Sequence, residues 1–124
     1  MFSMRKRGMD FVDRGDPADA DFNKDTLTCD GAYHELDLSG IIPTAARLVK
    51  IRIALEGSAG YPDFHVRTKG NVETTVSDII KVITLNTLYF QTLEVACGSD
   101  GVIEYRGKVA TYTTLNFTVA GWFE

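Results

Sequence analysis

Apolar and polar residues alternate along most of the chain after residue 25, and a period of two predicts β-strands. The clearest strand is expected at residues 47–56, where branched aliphatic side chains fall on one face and charged ones on the other. Segments 88–97 and 114–123 show the same alternation. In the second of these, Phe123 is expected on the apolar face and Trp122 on the polar face. Shorter strands are predicted at residues 26–29, 33–38, 64–68, 79–85 and 102–106.

Glycine, proline, aspartate and serine separate these segments, as expected for turns. About eight short strands without alternating helices are typical of a β-sandwich of jelly-roll or Greek-key type. Residues 26–124 are therefore predicted to form a single all-β domain. Residues 71–83 are ambiguous, because their apolar positions would also line one face of a helix. Their β-branched side chains favour a strand, with a short helical turn at residues 75–78.

Residues 1–25 lack this pattern and are predicted to form an extended N-terminal arm. The arm has few large apolar residues, so it cannot bury enough area to fold by itself. Its charge is uneven, because residues 1–9 carry a net charge of +3 and residues 10–25 carry −4. Termini of this kind become ordered when something ties them down. We therefore expect the arm to lie on a neighbouring chain.

Length and charge limit the remaining possibilities. The 124 residues are enough for one domain with a hydrophobic core, and the net charge of −4 argues against nucleic-acid binding. No apolar run reaches the roughly 18 residues of a membrane-spanning helix, and no secretory signal is recognisable, so no membrane association is expected. Cys29 and Cys97 allow at most one disulfide, and the sequence leaves open whether they are bonded.

Candidate catalytic and metal-binding residues are few. His34 and His65 are far apart in sequence and lack partners at metal-ligand spacing. The aspartates of the arm do not match a calcium-binding loop, and no nucleophile elbow is present. Two carboxylate pairs could serve a glycoside hydrolase, although acids on an outward face usually keep a sheet soluble: Glu35 with Asp37, and Glu94 with Glu104. We expect no catalytic residue, no metal and no cofactor, and hence a protein that is not an enzyme.

The most distinctive stretch is DGAYHELDLSGIIP at residues 30–43, followed by AARLVKIRI at 45–53. Together with VIEY at 102–105 and LNFTVAGWF at 115–123, it resembles small β-sandwich modules of bacteriophage virion proteins. Such modules occur as tail-fibre-like domains or as stand-alone structural proteins. The resemblance covers residues 26–123 and implies a particle component that is oligomeric and often trimeric. The arm lies outside the matched region.

The sequence and the resemblance together predict a non-enzymatic structural protein of the virion, made in the host cytoplasm. It would be a capsid decoration (cement) protein or a fibre-like subunit, homo-oligomeric with a trimer favoured, that binds other capsid or tail proteins through its arm. The predicted partner-binding residues are Phe2, Arg5, Lys6, Arg7, Phe11, Phe22 and Trp122. The alternative is a carbohydrate- or receptor-binding module of a tail fibre, which predicts a concave face with two or three exposed aromatic side chains.

Overall fold

The computed structural model describes residues 9–73 and 77–124. Residues 75 and 76 of the predicted helical turn lie outside the described residues, as do four of the predicted partner-binding residues: Phe2, Arg5, Lys6 and Arg7. The described chain is all-β, which confirms the predicted fold class. Its strands are β1 (Phe11–Asp13), β2 (Phe22–Asn23), β3 (His34–Asp37), β4 (Leu48–Ala59), β5 (Asp63–Thr68), β6 (Asp78–Lys81), β7 (Tyr89–Ala96), β8 (Val102–Gly107) and β9 (Thr111–Phe123).

The strands form two antiparallel sheets that pack face to face as a β-sandwich. Sheet A has the order β1-β9-β4-β7, and β2 also pairs with β9. Sheet B has the order β3-β8-β5-β6. The two longest strands, β4 and β9, lie side by side at the centre of sheet A, and β1, β2 and β7 pair with them.

The core lies between the sheets and uses the apolar faces that the alternation predicts. In β4, the side chains of Val49, Ile51, Ile53 and Leu55 are buried, as expected. The rings of Phe64 in sheet B and Phe117 in sheet A meet edge to face, with 6.1 Å between their centroids. Because these large side chains come from different sheets, their contact joins the two layers.

The predicted faces of Trp122 and Phe123 are wrong, because β9 contains a bulge. Lys50 lies opposite Gly121, whereas the next residue, Ile51, lies opposite Val119, so Ala120 is an extra residue in β9. An extra residue reverses the alternation beyond it. Trp122 therefore packs against the core, and Phe123 is on the outer face of sheet A.

Two of the shorter predicted strands also differ from the structure. Residues 26–29 form no strand. They follow a turn in which the Asn23 side chain accepts hydrogen bonds from the backbone N–H groups of Asp25 and Thr26. Leu27 is nevertheless buried in the core. The strand predicted at 79–85 is shorter and shifted, since β6 ends at Lys81.

The described part of the predicted arm lies along the chain's own sheet A. β1 pairs with the end of β9, and β2 pairs with β9 at Phe117 and Asn116. Just before β1, the backbone of Asp10 exchanges two hydrogen bonds with the backbone of Glu124, at 2.7 and 3.0 Å. Residues 9–25 therefore lie on sheet A of their own chain, which differs from the expectation that the arm lies on a neighbouring chain.

Candidate functional site

A groove crosses the outer face of sheet A, and we call it the outer groove. One wall is the loop between β1 and β2, residues 14–21, and the opposite wall is Phe90 on the edge strand β7. The floor is formed by outward-facing side chains of the two central strands, Arg52 on β4 with Asn116 and Thr118 on β9. The groove has a volume of about 360 Å³.

An ion pair fixes the loop that forms the first wall. The Arg14 guanidinium donates two hydrogen bonds to the Asp21 carboxylate, one of them 2.8 Å long, and so joins the two ends of the loop. The same two side chains bind the backbone of Val119: Asp21 accepts from its N–H at 2.8 Å, and Arg14 donates to its carbonyl at 3.2 Å. Val119 lies between the parts of β9 that pair with β1 and β2, so these two groups are hydrogen-bonded by side chains and not by a neighbouring strand.

A second hollow of about 390 Å³ continues the outer groove along the sheet towards Phe11. The two hollows share Pro17, Arg52 and Thr118 in their linings. The result is one elongated depression, with Phe90 at one end, Phe11 at the other and Arg52 between them. The side chains of Phe90 and Phe11 are 68% and 44% exposed, so both rings are accessible to a ligand.

The polar side chains of the outer groove are free to bind. In the described chain, no hydrogen bond or ion pair engages the side chains of Arg52, Asn116, Thr118 or Asp19. Lys50, further along β4, is different, because its ammonium lies 3.8 Å from Glu94 and 5.4 Å from the centre of the Phe11 ring. The groove therefore offers uncommitted donors and acceptors beside exposed aromatic rings.

An aromatic cluster closes the Phe11 end. The rings of Phe11 and Phe123 lie 5.1 Å apart. Gly121 allows this arrangement, because a Cβ atom there would come within 2.5 Å of the Phe11 ring. The cluster lies beside the point at which residues 1–8 join the described chain.

Salt bridges occupy the outer face of sheet B. Arg67 donates to Glu104 at 2.7 Å and stacks on the Tyr33 ring at 3.5 Å, while Lys69 lies 3.1 Å from Asp100. Burial lowers the pKa of His65, a neighbouring side chain on β5, because it disfavours the charged imidazolium. The charged side chains of Arg67, Glu104, Lys69 and Asp100 are thus partnered, unlike the polar side chains of the outer groove.

The structure distributes the predicted carboxylate pairs over both sheets. Glu94 and Glu104 lie on different sheets, and Glu104 is bound to Arg67. Glu35 lies directly opposite Glu104, whereas Asp37 accepts a hydrogen bond from the Ser39 N–H at 2.8 Å. Among residues 9–73 and 77–124, no group of three or more His, Cys, Asp or Glu side chains is placed to hold a metal ion.

The structure places three of the predicted partner-binding residues. Phe22 packs edge to face on Phe117, with 5.5 Å between the ring centroids, and so covers the core of its own chain. Trp122 is half-buried, and its indole N–H donates to the Glu124 carboxylate at 2.7 Å. Phe11 remains partly exposed at the end of the groove. Of these three, Phe11 is the one whose ring is most available to a partner.

Both cysteines are free thiols. Burial raises the pKa of Cys29 and of Cys97, so neither is activated as a thiolate. The described residues also contain no helix that is long and apolar enough to cross a membrane.

Apart from Phe11, the residues that line the outer groove and its continuation were not predicted from the sequence. One signal was available, since Phe90 is a large aromatic residue at an outward position of its strand, between Leu88 and Thr92. A comparison with protein-family models gave no match to this chain, and a search of curated proteins gave none either.

Proposed function

We propose that this protein is a non-enzymatic structural subunit of a bacteriophage virion, either a capsid decoration (cement) protein or a fibre-like subunit. In this proposal the sandwich is of jelly-roll or Greek-key type, the chain forms a homotrimer, and residues 1–8 attach it to other capsid or tail proteins. The residues that resemble phage modules support the proposal, because they form β3, β4, β8 and β9, which lie in both sheets.

The observation that carries the proposal is that the chain is held on sheet A directly after residues 1–8. The two backbone hydrogen bonds between Asp10 and Glu124, followed by the pairing of β1 with β9, hold the chain from residue 10 onward on a packed sheet. Residues 1–8, which carry a net charge of +3, are therefore joined to a part of the chain that is held on the domain. An anchored basic segment can pair with acidic sites on a particle, and repetition over many copies adds avidity.

The test is a deletion of residues 1–8 only, because a longer deletion would remove β1 and β2. The deleted chain should keep its thermal unfolding transition and should lose occupancy on particles assembled without the native protein. A matched control replaces Lys24, an exposed cation of the described chain, with alanine and should bind normally. Undiminished occupancy of the deleted chain would refute attachment through this segment.

The oligomeric state is tested separately by light scattering after size exclusion. A trimer of the full-length chain supports the proposed assembly. If the chain is a monomer at concentrations at which its binding sites on the particle are fully occupied, the homotrimer is refuted.

A further inference from the structure

We propose that the outer groove binds an uncharged linear oligosaccharide, which lies along the depression from Phe90 to Phe11. The inference is independent of the virion proposal, because it rests on the groove alone. It assigns a ligand to a surface with an unusual combination of exposed aromatic rings and unpartnered polar groups.

The aromatic rings define the ends of the site. Phe90 and Phe11 are among the large apolar side chains with substantial exposure, and each lines one of the two connected hollows. Exposed aromatic rings are costly in water and are enriched where a ligand with apolar and polar faces is bound. A pyranose ring has such faces, since its axial C–H groups can stack on a ring while its hydroxyls point sideways. Two rings at the ends of one depression fit a ligand of several sugar units.

The polar floor matches the hydroxyl groups of a sugar. The Arg52 guanidinium supplies donors only, the Asp19 carboxylate acceptors only, and Asn116 and Thr118 supply both. None of these side chains has an internal hydrogen bond in the described chain, so binding would not break an existing one. Convergence of a few polar groups beside an aromatic wall is typical of small-ligand sites, whose volumes begin at about 300 Å³.

The charges favour an uncharged saccharide over an acidic one. Asp13, Asp16 and Asp19 line the wall of the depression, and Arg14 cannot compensate them because it is paired with Asp21. Arg52 is the cation on the floor without a partner. A polyanion would therefore meet a net negative rim, whereas the hydroxyl groups of an uncharged sugar can donate to the aspartates and accept from Arg52.

The groove is also preorganised. The Arg14–Asp21 pair holds the loop wall against β9, and β4 and β9 form the rigid centre of the sheet. A ligand therefore does not have to order the site, which reduces the entropic cost of binding.

The experiment applies the full-length chain to an array of uncharged linear oligosaccharides that includes cellohexaose, maltohexaose and N-acetylated chitohexaose. The strongest binder is then titrated by calorimetry. We expect saturable binding and at least a 10-fold loss of affinity in Phe90→Ala. The matched control is Tyr61→Ala, which removes an aromatic side chain of 51% exposure that does not line the groove, and it should bind as the wild type does.

Three results would overturn the inference. These are binding to none of the uncharged glycans, stronger binding to hexagalacturonate than to any uncharged glycan, and equal loss of affinity in the Phe90 and Tyr61 variants. A peptide of residues 1–8 is titrated in parallel. If that peptide binds with dependence on Phe90 and no glycan does, the groove is a protein-binding site. Thermal unfolding of both variants checks that the sandwich is intact, and Arg52→Gln gives a second groove variant in which at least a 5-fold loss is expected.

Discussion

Replacing Asp21 with alanine should destabilise the protein more than any other aspartate substitution in the loop between β1 and β2. The Asp21 side chain is only 9% exposed, and it binds both the Arg14 guanidinium and the backbone N–H of Val119. The substitution removes the ion pair and leaves the backbone N–H of Val119 without its partner. Both consequences act at the place where the N-terminal segment joins the sheet.

The magnitude follows from these two losses. A hydrogen bond to a charged group contributes about 1.5–3 kcal/mol, and a partly exposed ion pair adds up to about 1 kcal/mol. We therefore expect the free energy of unfolding to fall by about 2–4 kcal/mol. For a domain of this size, that corresponds to a decrease in Tm of roughly 7–14 °C.

The assay is urea unfolding followed by tryptophan fluorescence, with thermal unfolding by circular dichroism as a second measurement. Asp16→Ala is the matched control, because it removes an exposed carboxylate of the same loop and should change stability by less than about 0.5 kcal/mol. A double-mutant cycle with Arg14→Ala should give a coupling energy above about 1 kcal/mol. Equal effects of the Asp21 and Asp16 substitutions, or a coupling energy near zero, would refute the reasoning.

Three further predictions concern other parts of the sandwich. Gly121→Ala should lower the free energy of unfolding by about 1–3 kcal/mol, because the new methyl group would clash with the Phe11 ring and the Val12 carbonyl. The control is Gly40→Ala, because there is open space around Gly40. An equal Tm for the two variants would contradict the packing argument. Trp122→Ala should lower the free energy of unfolding by about 2–4 kcal/mol without changing the native mass, since the indole packs on the core. A variant that loses the oligomer but keeps its Tm would show that Trp122 serves a subunit contact and not the core. The lowered pKa of His65 means that its stability contribution is complete above the ordinary histidine pKa of about 6.5 and is lost as the pH falls below it, because the unfolded chain then binds the proton more readily. Urea unfolding at pH 7.5 and 5.5 should therefore show a smaller acid-induced decrease in His65→Gln than in the wild type, and an unchanged decrease would exclude His65 as its source.

The fold class could be predicted because alternation is a local signal. Val49, Ile51 and Ile53 are spaced two residues apart, and the pleat of a strand directs such residues to one face whatever their neighbours are. The faces of Trp122 and Phe123 were predicted wrongly, because the bulge at Ala120 is a feature of the pairing of β9 with β4, which lies far away in sequence. Gly121, which follows the extra residue, is a local signal of the bulge, but it does not fix which residue is extra.

The role of residues 9–25 in sheet A was hidden for a related reason. β1 and β2 have three and two residues, too few for a recognisable alternation, and their partner β9 lies at the other end of the described chain. The outer groove was hidden as well, because Asp19, Arg52, Phe90 and Asn116 come from four separate segments. Its assembly depends on tertiary pairing that a single sequence does not display.

The antiparallel pairing of β1 with β9 also sets how the domain responds to a pull on residues 1–8. Tension directed away from Glu124 acts first on the hydrogen bonds of Asp10 and then on those of β1, so the bonds break one pair after another. This opening releases residues 10–13, which adds about 14 Å of extended chain at roughly 3.4 Å per residue. The force then reaches Arg14, whose bonds to Asp21 and Val119 act together. A tethered domain built in this way yields over a short distance and then resists.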